Sequence, residues 1–237
     1  MNLPDAPASF VAAWRARWPE WDLAQIFIPA AQRDAVDAWF ALLQTLTDAA
    51  WGGSDPTPGL AKLAWWHEEL QGWSKGARRH PLGELLQRLP APWSALSAAL
   101  LSLQKSREII IEEDAATTLL SFASAVAACE SALFGPSTDP SKLIAQTLLD
   151  ERRLCHLQVA TTSKHTGPDV SSDIQARSAA PLRSNPARDG TTPRRIHDAI
   201  VRARLARAVE NGRTAPLSPW RTVLTAWRAA RGSRPAT

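Results

Sequence analysis

Side chains that could do chemistry gather in a few short stretches of this 237-residue sequence. In KLAWWHEELQGW (Lys62 to Trp73), His67 stands beside Glu68 and Glu69, and a His–Glu pair can bind a metal or shuttle a proton. No further ligand sits at suitable spacing. At about 100° per residue, Glu68 lies opposite the stripe Leu63, Trp66, Leu70 and Trp73, and is expected to be solvated. His67 and Glu69 flank that stripe and are expected at the edge of a core. In RRHPL (Arg78 to Leu82), His80 precedes a proline and reads as a helix-start residue. Glu112-Glu113-Asp114 reads as a cap for the next helix, since negative charge suits the positive end of the helix dipole. The two cysteines, Cys129 and Cys155, have no metal-ligand spacing and read as inert thiols in a reducing compartment. The sequence carries no Gly-rich phosphate loop, Ser-His-Asp order or zinc spacing.

The elements that must position these groups read as helix after helix. Val36, Trp39, Phe40, Leu43, Leu46 and Ala50 form one stripe over Arg33 to Trp51, ended by Gly52-Gly53. Further helices are expected over Leu60 to Trp73, Pro81 to Leu89, Trp93 to about Ile111, Ala115 to Phe134 and Ser141 to about Val159. Two more follow, about Arg194 to Glu210 and Ser218 to Ala230. Residues 161–193 are rich in Ser, Pro, Thr and Arg and read as a polar loop, and 232–237 as a frayed tail. The expectation is a single domain over 1–237.

Composition narrows the classes. Hydrophobic content of 45% with 21% charged residues fits a soluble globular chain. Eleven tryptophans stand beside no tyrosine, so an aromatic wall here has no phenolic hydroxyl to offer. The start, MNLPDAPASF, has neither the basic nor the apolar region of a secretory signal. The most apolar stretch, Leu119 to Phe134, is interrupted by serines, Cys129 and Glu130, which argues against a spanning helix. The location expected is cytoplasmic, and a peripheral membrane contact stays open. From Arg183 onward 12 arginines face three acids, a local +9 within a net charge of +4. Such a segment could meet phosphates of nucleic acid, anionic lipid or a diphosphate. A solvated helix face is the plainer reading, and nucleic acid is disfavoured because no aromatics interleave Arg183 to Arg213.

KLAWWHEEL and RRHPL, preceded by DLAQIFIPAAQRDAVDAWFALLQTLTDAA (Asp22 to Ala50) and followed near the end by PLSPWRTVLTAWRAAR (Pro216 to Arg231), resemble segments of the squalene/phytoene synthase family in the same order. The resemblance implies an isoprenoid-synthase-like all-α bundle around a central cavity. It also implies head-to-head joining of isoprenyl diphosphates, with Mg²⁺ held by two acidic clusters to neutralise the leaving diphosphate. The first cluster reads D-D-x-x-D in active members. Here those positions are Thr47, Asp48, Ala49, Ala50 and Trp51, so both outer aspartates are gone. Asp48 points about 140° from the apolar stripe and reads as a surface aspartate. The Tyr and Arg that members place upstream to contact diphosphate are Phe40 and Gln44 here.

The second cluster resembles LQLTNILRDVxED. Aligned from Leu157-Gln158, its acidic positions fall on His165 and Asp169; aligned on PDVSSDIQARSAAPL, they fall on Asp169 and Asp173, with Arg177 downstream as a substrate contact. Asp169 and Asp173 share one face only if the segment is helical, and Pro168 argues for two solvated loop aspartates instead. The resemblance therefore implies a non-catalytic relative without a cofactor, binding a prenyl lipid or a protein partner. The alternative is an active Mg²⁺-dependent prenyltransferase of squalene, carotenoid or hopanoid biosynthesis. It would use Asp48, Asp169 and Asp173 on an isoprenyl diphosphate. A third reading is an interaction module led by the basic C-terminal segment.

Overall fold

The stripe from Val36 to Ala50 makes a helix with the bounds its periodicity predicts, Arg33–Trp51, and all six stripe residues are buried. Gly52 ends it. Its N–H bonds the Asp48 carbonyl at 2.9 Å, and a Cβ there would lie 2.4 Å from the same oxygen, so only glycine closes the turn this tightly.

The structure, a computed structural model, describes residues 6–109, 111–162, 189–212 and 214–231. It is all-α, with no strand among the described residues. The helices are α1 (Pro7–Arg17), α2 (Trp21–Ala24), α3 (Arg33–Trp51), α4 (Thr57–Trp73), α5 (Gly83–Leu86), α6 (Trp93–Lys105), α7 (Glu112–Phe134), α8 (Ser141–Thr162), α9 (Thr192–Asn211) and α10 (Pro219–Arg231). A 3-10 turn, Gln25–Phe27, follows α2.

Several bounds correct the sequence reading. Periodicity gave no helix where α1 lies; that helix is short and is held by packing of Trp14 and Trp18 into the core rather than by its own propensity. Helix α6 stops at Lys105, not near Ile111, because Arg152 of α8 takes the carbonyls of Ser106 and Arg107 at 2.8 and 2.9 Å. Helix α7 begins at Glu112, so the acidic run is its first turn and not a cap before it. Helix α8 continues to Thr162 and α9 starts at Thr192, so the expected loop is helical at both ends. Residues 163–188 and 232–237 lie outside the described residues.

Most helices pack on their neighbours in chain order. Helix α3 lies against α1 and α4, then α4 on α6, α6 on α7, α7 on α8, α8 on α9, α9 on α10, and α10 returns to α2. One described helix, Glu113–Phe134, is long and apolar enough to cross a membrane by length and composition. Here Leu119, Phe122, Val126 and Cys129 on it are wholly buried between its neighbours.

Candidate functional site

The face of α3 that the resemblance would line with carboxylates is apolar and filled. Phe40 stacks on Trp14 with ring centroids 5.5 Å apart and 8° between planes, and meets Trp21 edge-on at 5.4 Å. The His197 ring of α9 lies 4.5 Å from it, and the Arg194 guanidinium sits 5.1 Å over its face. Gln44 is half-buried, with its Oε1 buried and unbonded among the described residues. Thr47 is buried and donates to the Gln44 carbonyl at 3.0 Å. Trp51 donates its indole N–H to Ser106 Oγ at 3.0 Å and lies under Arg152. Asp48, with a side chain 53% exposed, pairs with Arg17 at 2.9 Å on the outer side of the helix. Phe40, Thr47 and Trp51 are engaged in packing or in bonds of their own, and Asp48 is turned away from them.

Among the described residues no three His, Cys, Asp or Glu side chains converge as a metal site. The residues present on α3 therefore do not fit the Mg²⁺ cluster of the resemblance: one carboxylate, tied to an arginine, replaces a set. His165, Asp169, Asp173 and Arg177 lie outside the described residues.

Three buried carboxylates do converge with other groups, and each takes the same kind of partners. Asp37 accepts the Trp21 indole N–H at 2.8 Å and the Arg15 Nε–H at 3.1 Å. Glu130 accepts from Trp39 at 2.9 Å and from Arg194 Nε at 3.0 and 3.1 Å. Glu69 accepts from Trp73 at 2.8 Å, from Arg79 Nε at 3.1 Å, and from the backbone N–H groups of Arg79 and His80 at 2.7 and 2.8 Å. An indole can only donate and a carboxylate can only accept, so the composition rich in tryptophan and void of tyrosine suits this pairing. Burial pushes the Glu69 carboxyl up, but the His80 and Arg79 amides, the indole and the guanidinium outweigh it and hold the group below its ordinary range. The same balance keeps Arg194 charged: burial lowers it, and Glu130 more than restores it.

These contacts decide the His67–Glu69 question. His67 is exposed and shares its Nδ1 with Ser97 Oγ at 2.9 Å, Glu68 is exposed near Arg79, and Glu69 is a buried staple for the turn that carries RRHPL. His80 accepts the Leu82 N–H on its Nδ1 at 3.1 Å within the turn before α5; the N-cap of that helix is Leu82, without a side-chain cap, so His80 stands ahead of the helix start expected of it. Sequence reasoning passed over Glu69 as a core-edge residue. The signal was its place four residues before Trp73.

A second set, also missed, lies between α8 and α9. His197 Nε2 bonds Glu151 at 2.8 Å, Asp198 accepts from Thr147 at 2.9 Å and pairs with Arg202, and Asp150 meets Arg153 at 3.0 Å. Burial, with Asp198 and Glu151 nearby, pushes the Asp150 carboxyl up to about 7 against the pull of Gln146 and Arg202. Asp198 is raised too, chiefly by burial. The spacing Arg194, Asp198, Arg202 on one helix face was visible in the sequence. Beside this set, Arg17, Trp18, Glu151, Cys155, Arg204 and Pro216 line a pocket with about 30 Å³ open to water centres. One water needs about 10–15 Å³ by this measure, so the pocket suits a few waters and not a prenyl chain. Cys155 accepts a hydrogen bond from Arg17 there; burial still raises its thiol, with Arg17 opposing. Cys129, also unpaired, is pushed up to about 12 by burial beside Glu130. Both thiols stay protonated and are poor nucleophiles near neutral pH.

Comparison of the chain with family models, with curated proteins and with solved structures gave no match.

Proposed function

We propose that this chain is a divergent, non-catalytic relative of the squalene/phytoene synthases. It binds a protein partner, or a prenyl lipid elsewhere than in the small pocket beside Cys155, in place of joining isoprenyl diphosphates. One observation carries the reading: Phe40, Thr47 and Trp51 occupy the inward side of α3, packed or bonded to neighbours, where a diphosphate–Mg²⁺ site needs a hydroxyl and two carboxylates. The all-α architecture, with helices packed largely in chain order, agrees with an isoprenoid-synthase-like bundle. Because Phe40 is locked between Trp14, Trp21 and His197, restoring one ligand would not restore a site.

The test is incubation of the purified full chain with farnesyl or geranylgeranyl diphosphate and Mg²⁺, following diphosphate release. No release above the protein-free control is expected. Release that disappears in Asp169→Asn would overturn the reading and establish the active prenyltransferase.

A further inference from the structure

Helix α10 has two faces that both look inward-directed by composition, and only one of them is buried. Thr222 and Ala226 are its buried residues, and they set it against α9 and α2. At about 100° per residue, Trp220, Leu224, Trp227 and Arg231 fall together on the side opposite that pair. There Trp220 is 73% exposed and Trp227 39% exposed. Arg221 and Arg228 border this outer stripe and are exposed as well, and the Arg231 guanidinium lies 4.2 Å over the Trp227 ring. The helix, PWRTVLTAWRAAR, contains no acid. Alongside it, α2 and the turn Gln25–Phe27 present Leu23 at 38% and Ile26 at 57% exposure, while Asp22 next to them is paired with Arg15.

We infer that this face is a docking surface for an anionic phospholipid bilayer. Large indoles left in water forfeit the burial that holds the other tryptophans of the chain. A bilayer interface recovers it, since indole rings settle at headgroup depth with their N–H still solvated. Arginines at the edge of the same stripe meet anionic headgroups without losing their charge. Charge complementarity separates this occupant from a second copy of the chain. A two-fold dimer through the stripe would bring the three arginines of one copy against those of the other. The inference needs only α10 and its neighbours, so it stands whether or not the prenyl-synthase reading does.

The experiment is co-sedimentation of the full chain with vesicles of phosphatidylcholine alone and of phosphatidylcholine mixed with phosphatidylglycerol. The chain is expected to pellet with the mixed vesicles, to stay in solution with phosphatidylcholine, and to be released by high salt. Trp220→Ala with Trp227→Ala should weaken pelleting at least about tenfold, with an unchanged far-ultraviolet circular dichroism spectrum. Arg221→Glu with Arg228→Glu and Arg231→Glu, all at exposed positions, should weaken it on the order of a hundredfold. Failure to pellet with anionic vesicles, or pelleting unchanged in both variants, would overturn the inference. So would sedimentation velocity showing a wild-type dimer that the tryptophan variant converts to monomer, which assigns the face to a second copy.

Discussion

In the interior, Trp21, Trp39 and Trp73 give their indole N–H groups to Asp37, Glu130 and Glu69 at 2.8, 2.9 and 2.8 Å. On α10, Trp220 and Trp227 turn their rings to solvent beside arginines. The arginine is present in both settings, and the carboxylate is what differs. Inside, an acid shared between an indole and a guanidinium makes burial of the acid and the indole tolerable, and at Arg194 of the guanidinium as well, and it ties each acid to a neighbouring helix or turn. Outside, the acid is missing from the helix, so ring and charge are left facing the same way. The first arrangement is complete within the chain. The second is complete only against something negative and partly apolar.

The interior half of that contrast is broken most sharply at Arg194, which is wholly buried on Glu130. Arg194→Met leaves a carboxylate buried with only the Trp39 indole, and should cost about 3–5 kcal/mol in urea unfolding. Adding Glu130→Gln should return most of the loss, because the amide oxygen still accepts from Trp39 and no charge is stranded. If the double variant is no more stable than the single one, the trio is not a closed unit.

Glu69→Gln comes next, at about 1.5–3 kcal/mol, since an amide nitrogen would face donors that now converge on a carboxylate. The pH dependence has a definite sign. The folded group is held below its ordinary range, so its contribution is full above the unfolded carboxylate value and is lost as pH falls through the folded one. The gap between wild type and Glu69→Gln should therefore close in acid and persist through neutral pH.

What the sequence shows and what it hides follow the same line. Apolar stripes read well: α3 has the predicted bounds, marked by local periodicity and Gly52, with Arg107 adding a long-range bond to the Ala50 carbonyl at 3.0 Å. The end of α6 reads poorly, since it depends on Arg152 reaching across from α8. Helix α1 was invisible for a related reason: Trp14 and Trp18 earn their place only against Phe40, Trp21 and His197. The exposure of Asp48 could be read from helical phase, and is found. Glu130, Asp150 and Asp198 were passed over because a charged letter on a helix reads as solvent-facing until its partner is known, and Glu69 was placed only at a core edge for the same reason. Glu130 in the apolar stretch from Leu119 to Phe134 was the plainest warning, four residues from the wholly buried Val126.

Asp150 sharpens the comparison from the other side, as a buried carboxylate with no indole donor. Burial pushes it up to about 7 from 3.8, so its ionisation costs stability progressively as pH rises between those values and fully above the higher one. Asp150→Asn should therefore be more stable than wild type by on the order of 2 kcal/mol near about pH 8, with the gain fading by about pH 4. A gain that does not change with pH would mean that Asp150 is charged throughout, supported by Arg153 as the three acids are by theirs.

The smallest effect is expected where the rings look largest. Replacing Trp220 and Trp227 by alanine should shift unfolding by no more than about 0.5 kcal/mol, the range of surface substitutions, because neither ring is packed as the interior ones are. Trp39→Phe, which removes the N–H together with the five-membered ring of a wholly buried side chain, should cost more, about 1–3 kcal/mol, by leaving Glu130 short of a donor and opening a small cavity. The ordering is the informative part. Two whole indoles deleted from α10 should matter less to folding than part of one indole deleted from the core, and paired urea titrations of the two variants decide it. If the α10 double variant is instead the less stable, its rings are packed within the chain, and the outer stripe has no exposed apolar surface left to offer a bilayer.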